Sequence, residues 1–566
     1  MDSANSLPHT PVQPSDITPR SIALGSILAV MLCAMNSYLT LSFGVIEEGP
    51  TIAALFFFTF FFWSKRKIST TEMVIVSTMG SAGGSLGFIS NFFAAKAMIG
   101  PAYTMTEMFL FALVSSLVGM AMVIPLRQLL ILRENLPWPG AKATAGVINA
   151  LVNEGDPKQA RYLLITFLIM LVVVIGNADQ GFKWWQGEFA IPGLTAFGAA
   201  VLWSSPFSVG GSYLMGFRTC VGFLVGAILL MLLGYFGVAA DASAPHKFYW
   251  PGLGFLVASG LTLIVINWRS MYEALLSLVS LKDAGKDDDD PIMSPKAFLA
   301  FLAGSILLAI FILHQFFSLT IPLIVVLVAI GGLLQNIIAT RAAAQTAFNP
   351  ARVMGILLEG ICTIFGAKAA PLNLAGAGFV AGSGAQAGVL TGDLAYGRWF
   401  HVPSRYQFWA QTLTIIPCCF VSAWVFTQIN TTGALALDGG RHSAPVAKMW
   451  AQSSLMFEKG LDSLPEGALL WLAIGAVVGV IYTCLELAAS IEKWLPASVG
   501  IGLGMVLSVA TGITFFIGGF IMWIILRRLL GFRDITLTTI AVGCIVAEGI
   551  GGVMKPGLIH LGIIAG

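Results

Sequence analysis

The chain has 566 residues, of which 57% are hydrophobic and only 10% charged, with a mean hydropathy of +0.86 and a formal net charge of +2. A soluble domain carries about 25% charged residues, so a water-soluble globule is excluded, and so small a net charge gives no electrostatic footprint for nucleic acid. The apolar runs are continuous rather than alternating, which excludes a transmembrane β-barrel and leaves an all-α, polytopic membrane protein.

The first 18 residues, MDSANSLPHTPVQPSDIT, are polar and Pro-rich. They lack a basic n-region and a small-residue cleavage site, so they read as a tail, and the first helix as an uncleaved insertion signal. Apolar runs follow at roughly 20–44, 50–64, 72–94, 104–126, 159–178, 189–204, 208–237 and 249–268. A polar segment, SLKDAGKDDDDPIMSPK, then reads as a solvated linker rather than a cation site. Further runs fall at roughly 297–317, 319–342, 351–366, 372–394, 406–428, 466–489, 497–527 and 536–563. A bilayer crossing needs about 20 apolar residues, which gives about sixteen spans. Two shorter pieces, near 140–152 and 444–457, read as re-entrant hairpins. The expected division is a tail at 1–18, a first transmembrane repeat at 19–278, an acidic linker at 279–296 and a second repeat at 297–566.

The repeat is visible in three collinear pairs. PGAKATAGVINALVNEG from Pro139 and PVAKMWAQSSLMFEKG from Pro445 share P-x-A-K and close on Glu and Gly. PFSVGGSYLMG from Pro206 matches PASVGIGLGMV from Pro496, and Asn36 in LCAMN matches Asn336 in GLLQN. All recur at an offset of about 300 residues, the mark of a duplication. Positive loop charge sits at Lys65, Arg66, Lys67, Arg127 and Arg133 in the first half, but at Arg398, Arg405, Arg527, Arg528 and Arg533 on loops of the other parity in the second. Positive residues mark the cytoplasmic side, so the repeats are expected to be inverted, with the helix at 297–317 as the extra crossing and the N-terminus cytoplasmic. Span parity fails to close between 466 and 527, so a segment there is broken or re-entrant. Inverted repeats with broken helices are the pattern of secondary transporters. No GxxxxGK[ST] motif supplies an ATP-driven motor.

Ionisable groups at membrane depth are costly and face a cavity or a partner. Here they are Glu47, Glu48, Glu72, Glu107, Lys142, Glu359, Asp393, Glu486 and Glu548. Glu72, Glu107 and Glu486 fall near helix ends. Glu548, mid-span in IVAEGIGG, reads either as functional or as a hydrogen-bond partner of a neighbouring helix. MNSYLTLSFGVIEEGP reads as a helix interrupted by Gly44, whose Asn36, Tyr38 and Glu47 line a path or bond within the bundle. VSTMGSAGGSLG, with Ser81, and NLAGAGFVAGSGAQAG, with Gln386, are small-residue runs. Such runs serve helix packing or expose backbone around a substrate. In TAFNPARVMG, Asn349 before Pro350 reads as an N-cap, or as a half-helix terminus for an anionic group. The seven cysteines all lie in apolar runs and read as small buried hydrophobes. Histidines are scattered without an HExxH, so no metal site is expected, and no GxSxG elbow supports a hydrolase.

One run resembles a family signature. GVLTGDLAYGRWFHVPSRYQFWAQ contains Asp393-Leu-Ala-Tyr-Gly397, Pro403-Ser-Arg405 and Phe408-Trp-Ala-Gln411. This resembles the D-L-K-T-G, P-R and aromatic-Ala-Gln series of the oligopeptide transporter family, specifically a prokaryotic-type member of its yellow stripe-like branch. NSYLTLSFG, STMGSAGGSLG, LPWPGAKATAGVI, FNPARVMG and SAPVAKM resemble its other segments, in order along nearly the whole chain. The departures are Gly140 and Gly146 at acidic positions of the P-E-G-T-A-x-A-E segment, Lys142 at its Thr (two before Thr144), and Ala395 at the Lys of D-L-K-T-G. With Lys142 in that segment, an anionic substrate becomes plausible.

The resemblance implies proton-coupled import of small peptides, or of metal ions bound to amino-acid-derived chelators, across the plasma (inner) membrane. It implies no cofactor beyond the coupling proton. The partners are substrate and lipid, with no nucleic acid and a homodimer left open. An amino acid, a siderophore or a glutathione-like thiol is the alternative cargo, and a passive channel the alternative mechanism. Asp393, with Arg398 and Arg405 close behind, then reads either as a structural ion pair with anchoring bases or as a proton or gating group on the path. Gln411 joins the candidate path residues.

Overall fold

The computed structural model describes residues 18–43, 49–63, 68–134, 136, 138–154, 157–177, 182, 184–190, 201–235, 246–266, 290–346, 351–430, 435–437, 444–460, 467–488, 494–506 and 509–560. The described residues are overwhelmingly helical, because a helix satisfies its own backbone where water is absent. The first half runs α1 (Pro19–Phe43), α2 (Gly49–Trp63), α3 (Thr70–Gly87), α4 (Ser90–Ile99), α5 (Met105–Leu126), α6 (Pro139–Asn149), α7 (Pro157–Gly176), α8 (Pro206–Met215), α9 (Phe217–Tyr235) and α10 (His246–Ile266). The second runs α11 (Pro295–Phe317), α12 (Ile321–Val326), α13 (Leu333–Thr346), α14 (Ala351–Ile364), α15 (Ala370–Trp399), α16 (Ser404–Ile429), α17 (Pro445–Lys459), α18 (Ala468–Glu486), α19 (Ser498–Val506), α20 (Val509–Gly519) and α21 (Asp534–His560).

Local sequence explains many of the boundaries. Ser69 with Glu72 and Thr104 with Glu107 form capping boxes that open α3 and α5. Pro125 lies inside α5, just before a π-helical turn at Arg127–Arg133 that ends the helix. Asp290 accepts the Ser404 N–H at 2.7 Å and stands 3.7 Å from Arg127. The last residue of the acidic run therefore caps α16 while its side chain stays part-exposed. The rest of that run lies outside the described residues.

Among the described residues, nine helices are long and apolar enough to cross a membrane. The expected sixteen runs fold differently because several are broken. The run at 208–237 divides at Gly216, whose φ is +86°, into α8 and α9. The run at 497–527 divides into α19 and α20. The described ends of the run at 189–204 are strand rather than helix: Glu188–Ala190 (β1) pairs antiparallel with Val201–Trp203 (β2), and 191–200 lie outside the described residues. Its Pro192-Gly193 dipeptide opposes a continuous helix.

Packing divides into two groups of helices. In one, α1, α3, α5, α15 and α16 pack together, with α13, α14 and α17 against α15. In the other, α8, α9, α10, α18, α19 and α20 pack together. α21 touches both, packing on α7 and α8 and on α1. Six cysteines are buried as expected; Cys484 is exposed.

Candidate functional site

The small-residue runs of α3 and α15 meet in the middle of the first group. Ser85 Oγ donates to Gln386 Oε1 at 2.5 Å, joining the two runs. Gln386 Nε2 lies 3.8 Å from Met120 Sδ on α5. Glycine permits the close approach. A Cβ at Gly87 would stand 2.5 Å from Asn36 Cβ on α1. A Cβ at Gly384 would stand 3.2 Å from both Asn336 Oδ1 and Gln335 Nε2 on α13. Each Asn of the sequence pair thus packs on a glycine of the neighbouring small-residue helix.

Polar atoms accumulate here without obvious structural duty. Ser383 Oγ donates to Asn336 Oδ1 at 3.2 Å. The Ser81 hydroxyl, both amide atoms of Gln335 and both of Gln411 are buried and lack a hydrogen-bond partner among the described residues. A buried polar atom left unpaired costs about 1–3 kcal/mol, so each of these positions is kept polar for another reason. Towards the C-terminal end of α15, Gln407 Nε2 donates to the Asp393 carbonyl and to Thr78 Oγ1, both at 2.9 Å, and Tyr396 Oη lies 3.2 Å from Thr78 Oγ1.

The sequence candidates do not all converge. Asn36, Ser81, Gln386, Asp393 and Gln411 are buried within the first group. Arg398 is exposed and donates to the Ile131 carbonyl at 3.2 Å, while Arg405 lies beside the Tyr406 ring. Tyr38 is buried, its ring against Gly552 of α21. On α6, Lys142 is exposed, whereas Thr144 is buried and 3.4 Å from the Thr51 hydroxyl. Glu47 and Asn349 lie outside the described residues. Glu548 is wholly buried; it accepts the Ser205 hydroxyl at 2.7 Å and the Phe207 N–H at 2.6 Å, closing the N-terminus of α8. Glu486 does the same for α19, accepting the Ser498 N–H at 3.1 Å and Arg218 at 3.3 Å.

Sequence reasoning passed over Gln335, Gln407 and the serines around Glu359. A polar residue in an apolar run was the available signal, but serine and glutamine are too common in helices to stand out singly. Sequence did single out the two P-x-A-K segments, and they share a backbone peculiarity. Trp138 and Ala444, each just before the proline, have φ of 45° and 37°. Trp138 N donates to the Ala344 carbonyl at the end of α13 at 2.8 Å; Ala444 N donates to the Leu41 carbonyl at the end of α1 at 2.9 Å. Left-handed conformations cost non-glycine residues about 1–3 kcal/mol, so the same strained turn twice is a built feature.

A multi-pass, all-α membrane protein with a polar seam between buried helices is thereby defined. The family model described as OPT oligopeptide transporter protein matches residues 16–555. The chain belongs to that family, and it is a membrane transporter rather than an enzyme. It is 24% identical over 574 residues to a Haemophilus influenzae protein named "Putative oligopeptide transporter", covering 88% of each chain. It is 22% identical over 661 residues to a Saccharomyces cerevisiae protein of the same description, covering 89% of this chain and 90% of the relative.

Proposed function

We propose that the protein is a proton-coupled secondary transporter of the yellow stripe-like branch, importing small peptides or metal–chelate complexes across the plasma (inner) membrane. Residues 19–278 and 297–566 act as inverted repeats, with the linker at 279–296 between them and the N-terminus cytoplasmic. The observation that carries this reading is the crossed pair of turns. Trp138, in the first repeat, docks on α13 of the second, and Ala444, in the second, docks on α1 of the first. Such exchange is what a pseudo-two-fold relation between inverted halves produces, and transporters of that build bind substrate where the halves meet.

The substrate then lies along the seam between α3 and α15, with Ser81, Gln335, Gln386 and Gln411 offering hydrogen bonds to peptide groups. Asp393 is the gating carboxylate towards the end of α15. Lys142, exposed on α6, favours an anionic cargo.

The test is purified protein in liposomes under an imposed proton gradient, with trialanine, glutathione and a ferric chelate added separately. Saturable charge movement with one class supports coupled transport and selects the cargo. Equal, unsaturable leakage of every solute would replace this reading with a passive channel.

A further inference from the structure

Glu359 on α14 is wholly buried, and the first group offers it an unusual setting. The α14–α17 interface matches small against large. Gly355 lies against Trp450 and Gly360 against Phe457. Between these contacts Glu359 meets two serines of α17. Ser454 Oγ donates to Oε1 at 3.0 Å, and Ser453 Oγ donates to Oε2. Among the described residues no cation pairs with Glu359. The two serines can serve either protonation state of this carboxyl.

The hydrogen bonds show how. Ser453 Oγ also stands 3.0 Å from the Met449 carbonyl and 3.1 Å from the Trp450 carbonyl. A hydroxyl has one proton to donate and two lone pairs to accept with. When Glu359 is ionised, the Ser453 proton points at it. When Glu359 is protonated, its own O–H donates to Ser453 Oγ, and the serine proton turns to the backbone carbonyl of Met449 or Trp450. Both states leave every group in the cluster satisfied, and one rotation of one hydroxyl separates them.

Among the described residues, few competing charges stand near Glu359. On the helices packed closely against α14, the described ionisable groups are these. Cys362 lies one turn along α14 itself. Lys448 on α17 is five positions from Ser453, about 140° round the helix, and Glu458 and Lys459 stand at the exposed end. Arg341 on α13 is ion-paired to Glu134 at 2.6 Å. Asp393, Tyr396 and Arg398 on α15 lie far along the helix from Gly376, which packs on Cys362.

Ser453 also forms part of the wall of a cavity of about 210 Å³, lined besides by Trp250, Leu253 and Val257 of α10, Leu472 of α18 and Ile356 of α14. Its lining is almost wholly apolar, and the cavity is partly open rather than sealed.

We propose that Glu359 is the carboxyl that takes up and releases the coupling proton, with Ser453 reversing its hydrogen bond between the two states. This inference rests on the proton-coupled reading above. The first test needs no substrate: infrared difference spectra of the full chain in liposomes, recorded as pH is stepped across the neutral range. The expected result is a protonated-carboxyl C=O band that titrates in the wild type, is absent in Glu359→Gln, and has a displaced midpoint in Ser453→Ala. A band that titrates unchanged in Glu359→Gln, or no titrating band in the wild type, overturns the proposal.

The second test is transport of trialanine and glutathione by the same proteins. Glu359→Gln should keep exchange of labelled for unlabelled solute and lose at least tenfold of gradient-driven accumulation. Gradient-driven accumulation by Glu359→Gln at the wild-type level overturns the role of Glu359 alone. Wild-type protein that exchanges solute but never accumulates it overturns the proton-coupled reading, whatever the spectra show.

Discussion

Glu548 on α21 accepts the backbone N–H of Phe207 at 2.6 Å, and so one helix closes the open end of another that lies 341 residues away in sequence. The first N–H groups of a helix have no partner within it. In water the solvent satisfies them; inside a membrane protein a side chain must. Glu486 fulfils the same duty for Ser498 at the head of α19. The two capped helices begin with the two P-x-S-V-G segments, so this arrangement also occurs twice.

Glu548→Ala should therefore destabilise the protein by about 1–3 kcal/mol, because it leaves the Phe207 N–H and the Ser205 hydroxyl unpaired in a buried setting. The effect appears as a lower melting temperature in detergent. Glu548→Gln, which keeps one acceptor oxygen, should lose less. Equal stability of all three proteins would refute the capping role.

The two glycines under the paired asparagines should respond differently. At Gly87 a new methyl group meets the Asn36 Cβ and backbone within 2.5 to 2.8 Å, and backbone cannot yield. Gly87→Ala should cost about 1–3 kcal/mol through overpacking and reduce folded yield. At Gly384 the nearest atoms, at 3.2 Å, are the ends of flexible amides. Gly384→Ala should fold normally and alter substrate affinity. Folded yields of the two variants, measured by size-exclusion chromatography, decide the matter.

Gln411 gives a stability test with the opposite sign. Its amide is wholly buried with both atoms unpaired among the described residues. Replacing an unsatisfied amide by an apolar side chain of similar size removes a desolvation penalty. Gln411→Leu should melt at or above the wild-type temperature and lose transport. A variant that melts lower and still transports would show that the amide is structural.

Charge at Lys142 and at Asp393 separates recognition from gating. Lys142→Glu should leave melting unchanged, since the side chain is exposed, and should abolish uptake of anionic peptides more than tenfold while sparing neutral ones. Retained uptake of glutathione would refute the role. Asp393→Asn should slow uptake several-fold yet keep its pH profile, which is assigned to Glu359. A flattened profile in Asp393→Asn, with a normal one in Glu359→Gln, would exchange the two assignments.

The amino-acid sequence alone determined that this is a helical membrane protein, and it did so through composition and the length of apolar runs. These are one-body properties: each residue prefers lipid or water whatever its neighbours are. Sequence likewise disclosed the P-x-A-K and P-x-S-V-G pairs and the order of the oligopeptide transporter segments, because proline, glycine and short motifs act within a few residues. The tertiary structure alone decided which runs break, and it alone supplied the cap at the start of α8, where Glu548 of α21 accepts the Phe207 N–H. It alone decided that Arg398 turns outward to the Ile131 carbonyl, while Glu359 meets Ser453 and Ser454, 94 and 95 residues on. The partner of a buried charge is a two-body property. It depends on which helices pack together, and no local pattern around Glu359 encodes that.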